Sequence, residues 1–217
     1  MFRTSTTDEP LTVRSLLTAL QRRYARRRYR RGPEREHWLR ESMYAHLDEF
    51  FRTLPASDYD ALEVSGEFYG DHGWRHYEHW HYPAFDLCAP NELPRRFGVV
   101  ICDQVLEHVV DPFTAAQTLA DACEPGGFVV VAVPFLVRVH PAPRDFWRFT
   151  PDGLRVLLER AGLEVVDVRS WGNRQCVKAN FFVWAKRPRF GSTANEAAFP
   201  LNVWAIARKP GGDRTET

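Results

Sequence analysis

The chain has 217 residues, 44% hydrophobic and 26% charged, with a formal net charge of +1. That length suffices for one well-buried α/β domain, and the near-neutral balance excludes a wholesale polyanion binder or an acidic solvating protein. The balance hides a local bias: residues 1–40 hold eleven arginines against four acids. Cys88, Cys102, Cys123 and Cys176 form no CxxC pair, which predicts buried thiols in a reduced cytoplasmic protein. The longest apolar run, Phe128 to Val137, is interrupted by Pro134 and is far short of the roughly 20 residues of a membrane span. A basic N-terminus without a following apolar stretch does not read as a secretory signal.

In chain order, residues 11–31 predict a helix with Leu11, Val13, Leu16, Leu17 and Leu20 on one side and an Arg-rich second half. Gly32-Pro33 breaks it, and a second helix over 35–53 carries Leu39, Met43, Leu47, Phe50 and Phe51 at helical spacing. Residues 1–54 thus read as a helical extension, 55–208 as the main domain and 209–217 as a flexible tail. Strands are predicted over 59–64, 79–82 and 97–102. Asp111-Pro112 caps a helix whose predicted buried stripe is Phe113, Ala116, Leu119, Ala120 and Cys123. Pro125-Gly126-Gly127 turns into the β-branched run 128–133, the pattern of a central parallel strand. Thr150-Pro151 opens a further helix that Gly162 stops. A strand over 163–168, a helix over 173–185 and a last strand over 201–207 complete the reading.

Strands alternating with helices predict a doubly wound, Rossmann-like α/β fold: a mostly parallel twisted sheet, helices on both faces. Ligands in such sheets bind at the carboxyl ends of the strands. That rule gathers residues 63–66, 82–86, 103–108 and 134–150 around one crevice.

The segment Phe97 to Pro112, with Glu107-His108 and Asp111-Pro112 at this spacing, is similar to the fourth-strand motif of class I S-adenosylmethionine-dependent methyltransferases of the type 11 kind. Glu124-Pro125-Gly126-Gly127 resembles the turn into their fifth strand, and 149–165 resembles their later helix and strand. The likeness covers about half the chain. It implies the fold above with an antiparallel C-terminal strand, S-adenosylmethionine as cofactor, and a small-molecule or oligosaccharide acceptor. The family's first motif, an acid followed by alternate glycines, departs here: Glu63 keeps the acid, while Ser65, Glu67 and Tyr69 replace the glycines. A narrower resemblance, in Ser65-Gly66, Tyr82 to Asp86 and His140 to Thr150, is to short polysaccharide O-methyltransferases such as the methylmannose-polysaccharide 1-O-methyltransferase group.

By that resemblance Glu63, Ser65 and Gly66 flank the methionine part of the cofactor. Asp86 and Leu87 face the adenosine, Asp103 and Gln104 line the mouth, and His81 or Tyr82 stands where a ribose-binding acid is usual. A hydroxyl is a weak nucleophile, so a positioned base is expected. His140 is the first candidate, oriented by Asp145, and His108 the second; each could equally hold a loop. Arg144, Trp147 and Arg148 are candidate substrate contacts. A divalent cation such as magnesium could sit on Asp145, His140 and Glu107. His72, His76, His79 and His81 have a spacing that could suit metal ligands, but no cysteine or tight carboxylate pattern supports a zinc site, and an aromatic pocket wall or ordinary packing fits better. The arginines of 22–31 fit nucleic acid or anionic lipid, but a solvated face or a homodimer contact carries more weight. The expected function is O-methylation of a saccharide, such as a mannoside, or other small hydroxyl compound. The alternatives are a non-catalytic subunit of the same fold and an RNA methyltransferase.

Overall fold

A computed structural model describes residues 38–89, 93–141, 144–182 and 191–211. The helix predicted over 11–31, the arginine stretch and residues 212–217 of the expected tail lie outside the described residues. The elements are a short 3-10 turn Trp38–Arg40, α1 Glu41–Thr53, β1 Asp60–Val64, β2 His76–Trp80, β3 Phe97–Asp103, α2 Pro112–Ala122, β4 Cys123–Pro134, α3 Pro151–Arg160, β5 Glu164–Trp171, α4 Arg174–Phe182 and β6 Asn202–Arg208. They form one six-stranded sheet in the order β2-β1-β3-β4-β6-β5. β2, β1, β3 and β4 run parallel, and β6 is antiparallel to both β4 and β5. The expected mostly parallel sheet with an antiparallel last strand is therefore present.

The period of two along each central strand decides what covers which face. Val99 and Ile101 of β3, Val130 and Ala132 of β4, and Trp204 and Ile206 of β6 point to one side, where Met43, Leu47 and Phe51 of α1 bury them. Val100 and Cys102, Val129, Val131 and Val133, and Val203, Ala205 and Ala207 point to the other, under Ala116, Leu119, Leu154 and Leu158 of α2 and α3. Each such fully buried Leu or Val contributes about 1.5–3 kcal/mol. Residues 41–53, assigned by sequence to the helical extension, thus form one layer of the sheet domain. Lys209, placed by sequence in the tail, is also held: its backbone N donates to Gly127 O, and its ammonium donates to Ala120 O at 2.7 Å.

Both Pro-started helices begin as expected. The Asp111 carboxylate accepts from Phe113 N and Thr114 N, and Thr150 Oγ1 accepts from Gly153 N. Two local expectations fail. Phe113 is 50% exposed, because it sits in the first turn of α2 where the Arg160 guanidinium stacks on its ring instead of the core. β2 starts at His76, not His79. Its polar residues suit an edge strand, with Arg95 pairing with Glu78 at 2.8 Å and Asp60 at 3.2 Å.

Candidate functional site

The penultimate residue of β1 is Glu63, whose side chain is almost wholly buried. Its carboxylate turns back on the following loop. Oε2 accepts from Phe68 N at 3.0 Å, Tyr69 N at 2.9 Å and the Tyr77 hydroxyl at 2.6 Å. Glu63 thus shapes the loop that follows β1. The loop must be glycine at 66, since a Cβ there would come within 2.0 Å of Glu63 Oε1. Gly66 thus serves the clamp, not the cleft wall. Tyr77, which sequence reading passed over, gives the clamp its shortest bond, and burial with this bond raises its phenol pKa.

Ser65 takes φ 59°, the left-handed conformation that the family's first glycine would adopt freely, and its N–H donates to Trp80 O at 2.8 Å. Glu67 points outward, 3.1 Å from His79 Nδ1 and 3.4 Å from His81 Nε2. Tyr69 is buried against Phe51 and His72 under the sheet. Neither replacement of a family glycine blocks the strand ends.

β3 ends in Asp103. Burial raises its carboxyl to about 6, against the opposing pull of Arg40. Its Oδ2 accepts from the Tyr69 hydroxyl at 3.2 Å. Gln104 follows with φ 58°, its N–H donating to Ala132 O. Among the described residues Gln104 Nε2 and Asp103 Oδ1 have no well-formed hydrogen bond, although the Gln104 amide still draws the Asp103 carboxyl down.

These strand ends open on a cleft of about 740 Å³. Ser65, His81, Tyr82, Asp86, Leu87, Gln104, His108 and Arg144, all singled out from sequence, stand in its wall. Asp103 lies just behind it. Val64, Phe85, Cys88, Val105, Val109, Val110 and Phe146 complete the wall and were not singled out as site residues. Their only signal was membership of the strand-end loops, since an apolar residue there looks like any core residue. Asp86 Oδ1 accepts from Cys88 N at 2.9 Å, which fixes the turn bearing Leu87.

His140, Asp145, Trp147 and Arg148 are not in the wall. Arg148 grips both Asp145 oxygens and donates to Trp147 O and Arg138 O. That clamp holds the Asp145 carboxyl down at about 2. Trp147 Nε1 donates to Val109 O at 3.0 Å. Arg148 and Trp147 thus both build the loop. Asp145 does orient His140, accepting from its backbone N at 2.8 Å and facing its Nδ1 at 3.3 Å. With Arg148 on both oxygens, Asp145 drops out of the expected metal donors. The side chains that converge are Glu107, His108 and His140, with Nε2 of the two imidazoles 3.6 and 3.8 Å from Glu107 Oε1.

A protein-family model described as a methyltransferase domain matches residues 43–168, more than half of the chain. Ubiquinone biosynthesis O-methyltransferase of Dinoroseobacter shibae is 33% identical over 104 residues, 40% of this chain and 41% of that protein. Its counterpart in Cereibacter sphaeroides is 29% identical over 133 residues, 49% and 53%. The chain thus spans about half the length of these curated relatives, whose names carry O-methylation but not polysaccharide synthesis. Among solved structures, the cyclase SpnF superposes with TM-score 0.52 at 14% identity, over 85% of this chain and 87% of that one. A structure of the Haloferax volcanii Trm112 methyltransferase activator with its methyltransferase gives 0.51 at 13%, over 94% and 100%. Such distant likeness establishes the fold alone. Fold, strand-end cleft and family match converge: the chain belongs to the S-adenosylmethionine-dependent methyltransferase domain family.

Proposed function

We propose that the strand-end cleft binds S-adenosylmethionine and that the protein methylates a hydroxyl oxygen of a small acceptor. The observation that carries this reading is the cleft itself. Its volume suits a ligand of nucleoside size, its wall combines apolar side chains with a few polar groups, and it opens where the parallel strands end. S-adenosylmethionine supplies a methyl group on a sulfonium, ready for in-line attack. Ser65 and Gln104 bring backbone close to it, and Asp86 and Leu87 border its adenosine end. The acceptor takes the side lined by Val109, Val110, Phe146 and Arg144, where the apolar wall excludes water. His108 meets the acceptor hydroxyl in that wall. His140, the first candidate from sequence, stands one layer further back.

O-methylation is preferred because the curated relatives share it in their names and the strand-end loop after Asp103 lacks an Asn-Pro-Pro-Tyr pattern. The deciding experiment is calorimetric titration with S-adenosylmethionine, followed by labelled-methyl transfer to mannosides, phenols and tRNA. Expected are binding heat and transfer to a hydroxyl compound. Silent titration would leave the non-catalytic subunit, and transfer to tRNA alone would replace the small acceptor. His108→Ala is expected to cut turnover at least about tenfold with cofactor affinity near normal.

A further inference from the structure

Glu107 is fully buried, and neither of its carboxylate oxygens receives a hydrogen bond among the described residues. A bare carboxylate in such a place is costly unless positive charge lies against it. The two groups nearest Oε1 are the Nε2 atoms of His108 and His140. On both imidazoles the other nitrogen faces acceptors, which at His140 Nδ1 lie closer than the one donor there, Arg148 Nη2 at 3.5 Å. His108 Nδ1 lies against Arg144 O, and His140 Nδ1 is 3.3 Å from both Arg138 O and Asp145 Oδ2. Acceptors on that side put the ring proton on Nδ1 and turn each Nε2 lone pair toward Glu107.

Two lone pairs and a carboxylate oxygen then converge within 4.8 Å of one another. That arrangement repels itself unless a proton or a metal cation sits at its centre. Ligands about 2.0–2.2 Å from a common ion stand roughly 3–3.5 Å apart, so distances of 3.6 and 3.8 Å need close by only a few tenths of an ångström. The outer contacts match as well. A metal-bound histidine characteristically donates its second ring N–H to a carbonyl or a carboxylate, and acceptors of these kinds stand beside both Nδ1 atoms here.

We propose that Glu107, His108 and His140 form a binding site for a divalent ion of the zinc class, with a remaining position on the cleft side. Two imidazole nitrogens select such borderline ions over magnesium, which prefers oxygen donors. The site stands on this geometry alone. Its use, holding the acceptor oxygen beside the methyl group, rests on the methyl-transfer reading above. Glu67, His79 and His81 make a second cluster of the same composition, but all three are exposed, so water competes for every donor. It serves as an internal control.

The test is titration of chelator-stripped protein with zinc and with cobalt, read by calorimetry and by the visible absorption of bound cobalt, without cofactor. Expected is one equivalent bound in the micromolar range or tighter, unchanged in His79→Ala. Glu107→Gln and His140→Ala should each weaken it at least about 100-fold, and Asp145→Asn about 10–100-fold. Circular dichroism verifies folding, and His140→Ala, less buried than Glu107, decides the matter if Glu107→Gln unfolds. No stoichiometric binding overturns the proposal. So does binding lost in His79→Ala, or binding unchanged in both Glu107→Gln and His140→Ala. Binding retained while methyl transfer is absent would sink only the methyl-transfer reading.

Discussion

Ser65 and Gln104 hold almost the same left-handed backbone angle, φ 59° and 58°, just beyond the ends of the neighbouring strands β1 and β3. Both stand in the cleft wall. For a residue with a Cβ this conformation costs about 1–2 kcal/mol, and such strain concentrates at functional sites. Glycine at either position is expected to keep both the fold and the affinity for S-adenosylhomocysteine. Ser65→Val, with its branched Cβ, should lower stability by a further ~1–2 kcal/mol and weaken that affinity. Urea unfolding and calorimetry check this; a fully neutral Ser65→Val would remove the strain argument.

The Glu63 clamp makes a second prediction. Oε2 takes three donors and Oε1 also accepts from Phe68 N at 3.1 Å, so an amide turns its NH2 toward a donor whichever way it faces. Glu63→Gln should therefore destabilise by about 2–3 kcal/mol and loosen residues 65–69. Gly66→Ala should do comparable damage by driving its methyl into Glu63 Oε1. Protease sensitivity of the loop and thermal melts read both. If Gly66→Ala melts with the parent protein, the clamp is softer than its geometry implies.

Asp103 gives a pH signature. Its carboxyl titrates at about 6 when folded, against about 4 when unfolded. Between those values the folded state holds more protons, so this group favours folding at low pH and loses that contribution as pH rises through 6. Asp103→Asn removes the effect. Relative to the parent, the variant should gain stability as pH rises from 4 to 7, by on the order of 3 kcal/mol. Parallel stability curves for the two proteins would contradict the raised value.

Leu47, fully buried between α1 and the sheet, tests whether residues 41–53 belong to the folded domain. Leu47→Ala is expected to cost about 2–5 kcal/mol in denaturant unfolding. A loss under ~1 kcal/mol would mean that α1 packs loosely.

The sheet was legible where sequence periodicity is strong. The Val-rich β3 and β4 and the Asp111-Pro112 and Thr150-Pro151 caps carry their own local signals. β2 was read too short because His76 to Trp80 mixes polar and aromatic residues with no clean alternation, as an edge strand can. Of the site, the strand-end residues Ser65, Asp86, Gln104 and His108 follow from one topological rule. The role of Glu63 does not follow, since it depends on a loop folding back onto its own strand. Likewise the meeting of Glu107 with His140 spans 33 positions and is made by tertiary packing, which no local pattern encodes.

β6 is the last strand in chain order, yet it lies between β4 and β5. During synthesis from the N-terminus, β4 therefore waits with one hydrogen-bonding edge bare, and β5 waits with no neighbour in the sheet. The Val129–Val133 stretch is β-branched and uncharged, a segment prone to pair with another chain while it waits. Residues 202–208 act as the closing stave of the sheet, so nascent chains stalled before that point should be the species that holdase chaperones bind.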